Sequence, residues 1–201
     1  MPHGYNGKIL RVDLDNESMS VEEPQELFYS RYLGGGALAL SYLLRELKPK
    51  SDPLGPENLL VFAGSVIAGT PAAGLSRFSV AAKSPLTGAF GEAEAGGWWI
   101  PELKFAGFDA IIIKGKARKP VYLWVHDGEA EIRDAGHLWG KPAKEAQEGI
   151  REELGDKRIR IALIGPSGEK LVKVACIINE LKHANGRTGL GAVMGSKNLK
   201  A

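Results

Sequence analysis

The sequence predicts an α+β fold and not a doubly wound parallel sheet. Short apolar runs of strand length recur after residue 58: LLVFA from Leu59, RFSVAA from Arg77 and DAIIIKG from Asp109. Hairpin links join several strands, most plainly in PVYLWVHDGEAEIRDA, where Asp127-Gly128 supplies the turn. Helical stretches are too few to serve as crossovers between parallel strands.

Taken in order, Leu10, Val12 and Leu14 alternate with Arg11 and Asp13, and the polar turn Asp15-Asn16-Glu17 leads to a second short strand through Val21. Pro24 opens a helix, PQELFYSRYL, that stops at Gly34-Gly35-Gly36. ALALSYLLREL forms the next helix, and the turn-rich KPKSDPLGPE closes it. Beyond the Asp127-Gly128 hairpin, KPAKEAQEGIREELG is an amphipathic surface helix ending at Gly155. RIRIALI and KLVKVACIIN then read as two strands around the turn Gly165-Pro166-Ser167-Gly168.

A chain of 201 residues, 44% hydrophobic and 25% charged, is an ordinary soluble globular protein with enough length for a real core. Its 26 basic and 24 acidic residues leave a net charge of +2, so any electrostatic function is local and a nucleic-acid partner has no whole-chain support. The single Cys176 can form no internal disulfide and holds no cluster alone; in VACII it reads as a buried packing residue in a strand. No run approaches the roughly eighteen apolar residues of a membrane span, and MPHGYNGKILRVDL lacks a secretory pattern. The expectation is a cytoplasmic protein with no membrane partner.

One stretch is unusually poor in side-chain volume: GLSRFSVAAKSPLTGAFGEAEAGG, from Gly74 to Gly97. It cannot form a core by itself, because it has little apolar area to bury. A second glycine-rich run, HANGRTGLGAVMG, follows IALIGPSGEK and LVKVACI much as GEAEAGG follows the strands of the first half. Two similar half-sites and two unrelated glycine loops both fit that echo. Glycine loops can bring backbone N–H groups close to an anion, and equally they can do no more than permit tight turns. GLGAVMG has the wrong glycine spacing for a dinucleotide fingerprint, and GAVMGSK is too short for a P-loop with Lys and Ser reversed. What survives is small residues flanked by isolated donors, Arg77 and Lys83 at the first loop and Lys182, His183 and Arg187 at the second. That pattern suits a flat, polar, polyanionic ligand.

On the residues SRFSVAAKSPLTGAFGEAEAGG, PELKFAGFDAIIIKGKARKPVYLW and NGRTGLGAVMGSKNLKA, together with GYNGKILRVDL and RYLGGGALA, the chain strongly resembles the N-terminal domain of the tungsten-containing aldehyde ferredoxin oxidoreductases. The resemblance covers essentially residues 1–201. It implies two β-sheets forming a base for a tungsten (or molybdenum) bis-pterin cofactor of the molybdopterin type, with the pterin phosphates linked through magnesium. It further implies oxidation of small aldehydes to carboxylic acids, with ferredoxin as electron acceptor. Small residues would then leave room for the tricyclic pterins.

By position, the resemblance makes Arg77 the arginine between pterin and iron–sulfur cluster and Gly96 a pterin-contacting glycine. It makes Glu94 and Ala184 the residues whose backbone carbonyls face magnesium, and places His183, Gly186 and Arg187 in the second pterin loop. Position 94 is often asparagine in the family and position 183 often arginine, so Glu94 and His183 depart from the pattern. Cluster cysteines and acid/base residues belong to domains beyond this stretch, and no catalytic residue is expected in it. The chain is expected to be inactive alone, an excised domain or split subunit whose partners are the remaining enzyme domains, and the complete enzyme can be a homo-oligomer. The alternative is a non-catalytic pterin-binding or structural module. Trp98 and Trp99 suit either a cofactor wall or core packing, and Asp127, Glu129 and Glu131 read as the solvent face of a hairpin.

Overall fold

The structure, a computed structural model, describes residues 4–201; residues 1–3, which open the stretch read above for a secretory signal, lie outside the described residues. The chain passes twice through one plan: hairpin, helix, strand, hairpin, short helix, return strand. In the first pass β1 (Ile9–Asp13) and β2 (Ser18–Glu22) pair antiparallel, and α1 (Glu26–Tyr32) and α2 (Gly35–Glu46) lead to β3 (Leu60–Gly64). The hairpin β4 (Phe78–Lys83) and β5 (Phe90–Ala95) follows, then α3 (Trp99–Phe105), and β6 (Ala110–Lys114) returns parallel to β1. The resulting six-stranded sheet has the order β2-β1-β6-β3-β4-β5.

The second pass opens with the hairpin β7 (Val121–His126) and β8 (Glu129–Asp134), then a 3-10 turn at Gly136–Leu138 and α4 (Ala143–Leu154). It continues through β9 (Ala162–Leu163), α5 (Pro166–Glu169), the hairpin β10 (Ile177–Asn179) and β11 (His183–Asn185), and α6 (Leu190–Ser196). Leu199 then bridges Val121 in parallel, while Ile164 donates its N–H to the Lys200 carbonyl at 3.0 Å. Counting residues 199–201 as the return strand, the order of neighbours is β8-β7-(199–201)-β9-β10-β11, the same as in the first sheet. The weak sequence echo is thus a repeat of architecture. The α+β class is as expected, and so are the two sheets: the three- and two-stranded pieces are joined through residues 199–201 into the second of them.

Burial explains why these residues take these places. The centre of the six-stranded sheet is covered on both faces, so β3 and most of β6 read as continuous apolar runs without alternation. Ile9, Val61, Ala63 and Ile112 face Leu38 and Tyr42 of α2, and Leu10, Phe62, Ile111 and Ile113 share a larger core with Ile100 of α3, Val193 of α6 and Leu199. A cleft of about 840 Å³, floored by Phe62, Ile111 and Ile113, separates β7 from residues 158–162. Trp99 and Asp127 line it, but Arg77, Glu94, Gly96 and residues 183–187 do not.

Three expectations give way. KLVKVACIIN is not one strand: only Ile177–Asn179 pair, and Leu171, Val172 and Val174 are exposed in turns because no strand edge lies beside them. Gly165-Pro166-Ser167-Gly168 opens the short helix α5, where Pro166 sits at a first-turn position that needs no N–H. Cys176 precedes β10 and is half-buried, so it is neither in a strand nor fully packed. The residues read as glycine loops also gain regular structure: GEAEA is β5, and LGAVMGS is the buried helix α6.

Buried lysines pin the chain where loops meet the sheet. Lys104 is fully buried and lies 3.0 Å from Asp109, and its ammonium also donates to the carbonyls of Gly4 and Val66 at 2.7 and 3.1 Å. Lys200 makes a buried pair with Glu169. Lys197, 0% exposed, donates to the Pro56 and Gly115 carbonyls, and burial pushes its pKa down from 10.5 to about 8, partly opposed by Asp15 and Glu57. Between those values the unfolded chain holds a proton that the folded chain has released, so stability rises with pH. Below pH 8 both states are protonated and the term is flat. Tyr29 and Tyr42, whose phenols burial raises above 10.0, act in the opposite sense above that pH. Urea denaturation should therefore show Lys197 contributing a gain of about 2 to 3 kcal/mol from pH 8 to 10. Lys197→Met should remove that gain, and an equal slope in the variant would contradict the assignment.

Candidate functional site

The site lies where the ends of the two inner hairpins meet. β5 is the edge of the six-stranded sheet. The Ser84 amide bonds the Ala89 carbonyl at 2.8 Å, which sets the phase of the β4–β5 ladder so that the peptide groups of Glu94 and Gly96 face away from β4. Against that edge stands the β10–β11 hairpin. Asn179 donates from Nδ2 to the Gly96 carbonyl at 2.9 Å, and Asn185 likewise to the Ala93 carbonyl at 2.8 Å. The Trp98 amide donates to the Glu180 carboxylate, and the Ser84 hydroxyl to the Thr188 carbonyl at 2.7 Å. Segments 91–97 and 184–191 therefore converge, through bonds between residues 82 to 104 apart in sequence.

Gly97 shows how close the approach is. It has a φ of +103°, and a Cβ there would stand 2.7 Å from Asn179 Nδ2 and 2.9 Å from the His183 ring. Only glycine fits both the backbone conformation and the space.

The expected site residues gather around this junction. Arg77 precedes β4 with its side chain 70% exposed, and its guanidinium lies 3.6 Å from the Glu94 carboxylate, also exposed. The glutamate that departs from the family pattern thus has a cation beside it. Gly96 is half-buried beside the His183 ring, and Ala184, Gly186 and Arg187 are exposed along β11 and the residues after it. Glu94 and Ala184 hold the same penultimate place in β5 and β11. Among the described residues, the amides of Gly96, Gly97, Gly186 and Arg187 find no protein acceptor. Lys83 does not join them: its ammonium bonds the Ser51 carbonyl at 2.8 Å. The two tryptophans divide, Trp98 being 56% exposed beside Gly97 while Trp99 packs on Phe62 and Phe78 with ring centroids 5.4 and 4.8 Å away.

Asn179, Glu180, Asn185 and Gly97 were not singled out from sequence. Asparagine near glycine reads as a turn former, and nothing local shows that its amide will reach another strand. Both asparagines are 0% exposed, and each keeps a buried Oδ1 with no partner among the described residues.

The junction suits a flat anionic heterocycle. Unbonded amides suit phosphate oxygens, small residues leave the backbone open, and Arg77 offers a charged fork. Among the described residues no cluster of three His, Cys, Asp or Glu side chains is placed to hold a metal ion. Among them, too, no helix is long and apolar enough to cross a membrane.

Comparison with known proteins gives these features a context. The model of the family described as "Aldehyde ferredoxin oxidoreductase, N-terminal domain" matches residues 9–201. The tungsten-containing aldehyde ferredoxin oxidoreductase of Pyrococcus furiosus is 49% identical over 99% of this chain, and that of Thermococcus kodakarensis 48% identical over the same share. An "aliphatic sulfonate oxidoreductase, WOR-like subunit" of Pyrococcus furiosus is 40% identical. Among solved structures, the active site complex BamBC of benzoyl coenzyme A reductase superposes with a TM-score of 0.96 and 41% identity over 98% of this chain and 30% of that one. The chain spans about a third of the length of the curated relatives it matches.

Proposed function

The chain belongs to the family of aldehyde ferredoxin oxidoreductase N-terminal domains, and from that premise we propose that it is the platform on which a bis-pterin oxidoreductase seats its tungsten or molybdenum cofactor. The observation that carries this reading is the junction of β5 and β11, where corresponding strand ends of the two passes meet. Gly96 and the 183–187 stretch would hold the pterins, and the carbonyls of Glu94 and Ala184 would help hold the magnesium. Arg77 would bond a pterin edge from its exposed position. When bound, the group supplies two-electron oxidation–reduction chemistry.

What this chain's own residues do is bind and orient. Free amides would hold the phosphates, and Gly97 lets the two loops close to contact distance. Relatives named for an aldehyde, a sulfonate and a benzoyl thioester reaction share this platform at 40–49% identity. Substrate choice accordingly belongs to parts outside it. In the complete polypeptide we assign aldehyde oxidation with ferredoxin as acceptor, and no turnover to residues 1–201 alone.

Arg77 tests the reading without disturbing the fold. Its one ion pair among the described residues is exposed at both ends, the kind that stabilises by about 0 to 1 kcal/mol. Arg77→Ala in the complete polypeptide should leave the melting temperature nearly unchanged while cofactor-dependent activity falls about tenfold or more. Unfolding together with normal activity in the refolded remainder would make Arg77 a structural residue.

A further inference from the structure

We propose that the turn Asn179–Lys182 is a positioning clasp, in which Asn179 and Glu180 set Gly96–Trp98 at a fixed spacing from His183–Arg187. This rests on the reading of that junction as the pterin floor.

The turn is closed by the Lys182 amide on the Asn179 carbonyl at 3.2 Å, and both central residues are left-handed, Glu180 at φ 55° and Leu181 at φ 56°. Glycine or asparagine normally fills such places, because other side chains are strained there. Neither residue is held there by deep packing: Leu181 is 39% exposed and Glu180 half-exposed. The Glu180 carboxylate instead reaches across to the Trp98 amide, and among the described residues it bonds no other group. Beside it the buried Asn179 amide holds the Gly96 carbonyl at 2.9 Å. Gly97 fits between them, since a Cβ would meet Asn179, His183 and Glu180 within 3.3 Å. The strained turn thus fixes three successive residues of the first loop from the tip of the second hairpin. A tight hairpin asks for two left-handed residues, and filling the first with Glu180 instead of glycine keeps the carboxylate that reaches Trp98.

Neither residue is assigned contact with the ligand, so the test must separate positioning from folding. In the complete polypeptide, purified with its cofactor, Glu180→Gly removes the carboxylate while relieving the left-handed φ. Glu180→Gln keeps an acceptor oxygen on the same stem. For Glu180→Gly the unfolding midpoint should hold or rise, amide exchange at Gly97 and Trp98 should accelerate, and metal and pterin retained per folded polypeptide should fall about tenfold. Glu180→Gln should restore retention to within about twofold of wild type. Retention and exchange unchanged in Glu180→Gly would overturn the clasp while the pterin reading stands. A lowered midpoint with normal loading of the folded fraction would make Glu180 a fold residue and also overturn it. A wild-type protein that is folded but free of pterin and metal would overturn the reading of the floor, and the clasp with it.

Discussion

Lys104→Met should be the most damaging single substitution, costing about 3 to 5 kcal/mol of stability, because it leaves the carboxylate of Asp109 buried without its cation. Burial lowers the Lys104 pKa, so the ammonium is held against its desolvation cost by what it touches. Those contacts tie three parts of the chain together: the Gly4 carbonyl at the start, the Val66 carbonyl after β3, and Asp109 before β6. Asp109 in turn accepts the amides of Asn6 and Gly7 at 2.9 and 2.7 Å. Chemical denaturation should show the loss, and hydrogen exchange should show residues 6–8 opening first. A cost below about 1 kcal/mol would mean that water replaces the ammonium freely.

Gly195→Ala should cost about 3 kcal/mol, the upper end for overpacking, by forcing α6 away from α5. A methyl at position 195 would overlap the Gly168 carbonyl, and one at Gly191 would stand 2.5 Å from the Cys176 carbonyl. Both neighbours are backbone and cannot rotate aside. Glycines four apart lie on one helix face, so α6 presses a smooth side against α5 and the segment before β10. The run GLGAVMG, which fails as a nucleotide motif, is thus a packing device. Thermal unfolding is the readout, and because α6 carries the second loop at its start, cofactor retention should fall alongside. A wild-type melting temperature in Gly195→Ala would show that α6 can shift without loss.

Strands with large apolar residues, such as Leu60–Gly64 and Ala110–Lys114, were legible because burial on both faces leaves an unbroken hydrophobic run. Helix α4 was legible for the opposite reason, its buried Ala146, Gln147 and Ile150 recurring at helical spacing on a polar background. β5 and α6 were not legible as elements. Their glycines and alanines have weak periodicity, and only close approach of another backbone makes regular structure there favourable. KLVKVACI misled in the other direction: valine alternating with lysine has the period of a strand, but no neighbour offers an edge.

The site divides in the same way. Arg77, Gly96, His183 and Arg187 could be named from long family motifs, and the structure brings all of them to one junction. The residues that create the junction, Asn179, Asn185 and Glu180, act across 82 to 92 residues of sequence, and no local pattern encodes such a pairing. Lys83 looked like a ligand donor because it flanks the glycine run, yet a neighbouring loop carbonyl already occupies it.

The central claim is that this chain is a floor for a metal bis-pterin. The most direct measurement is elemental analysis, with pterin release after denaturation, on the complete polypeptide purified without oxygen from cells supplied with tungstate and molybdate. The account predicts one tungsten or molybdenum and two pterins per polypeptide. Folded protein with neither metal nor pterin would contradict it.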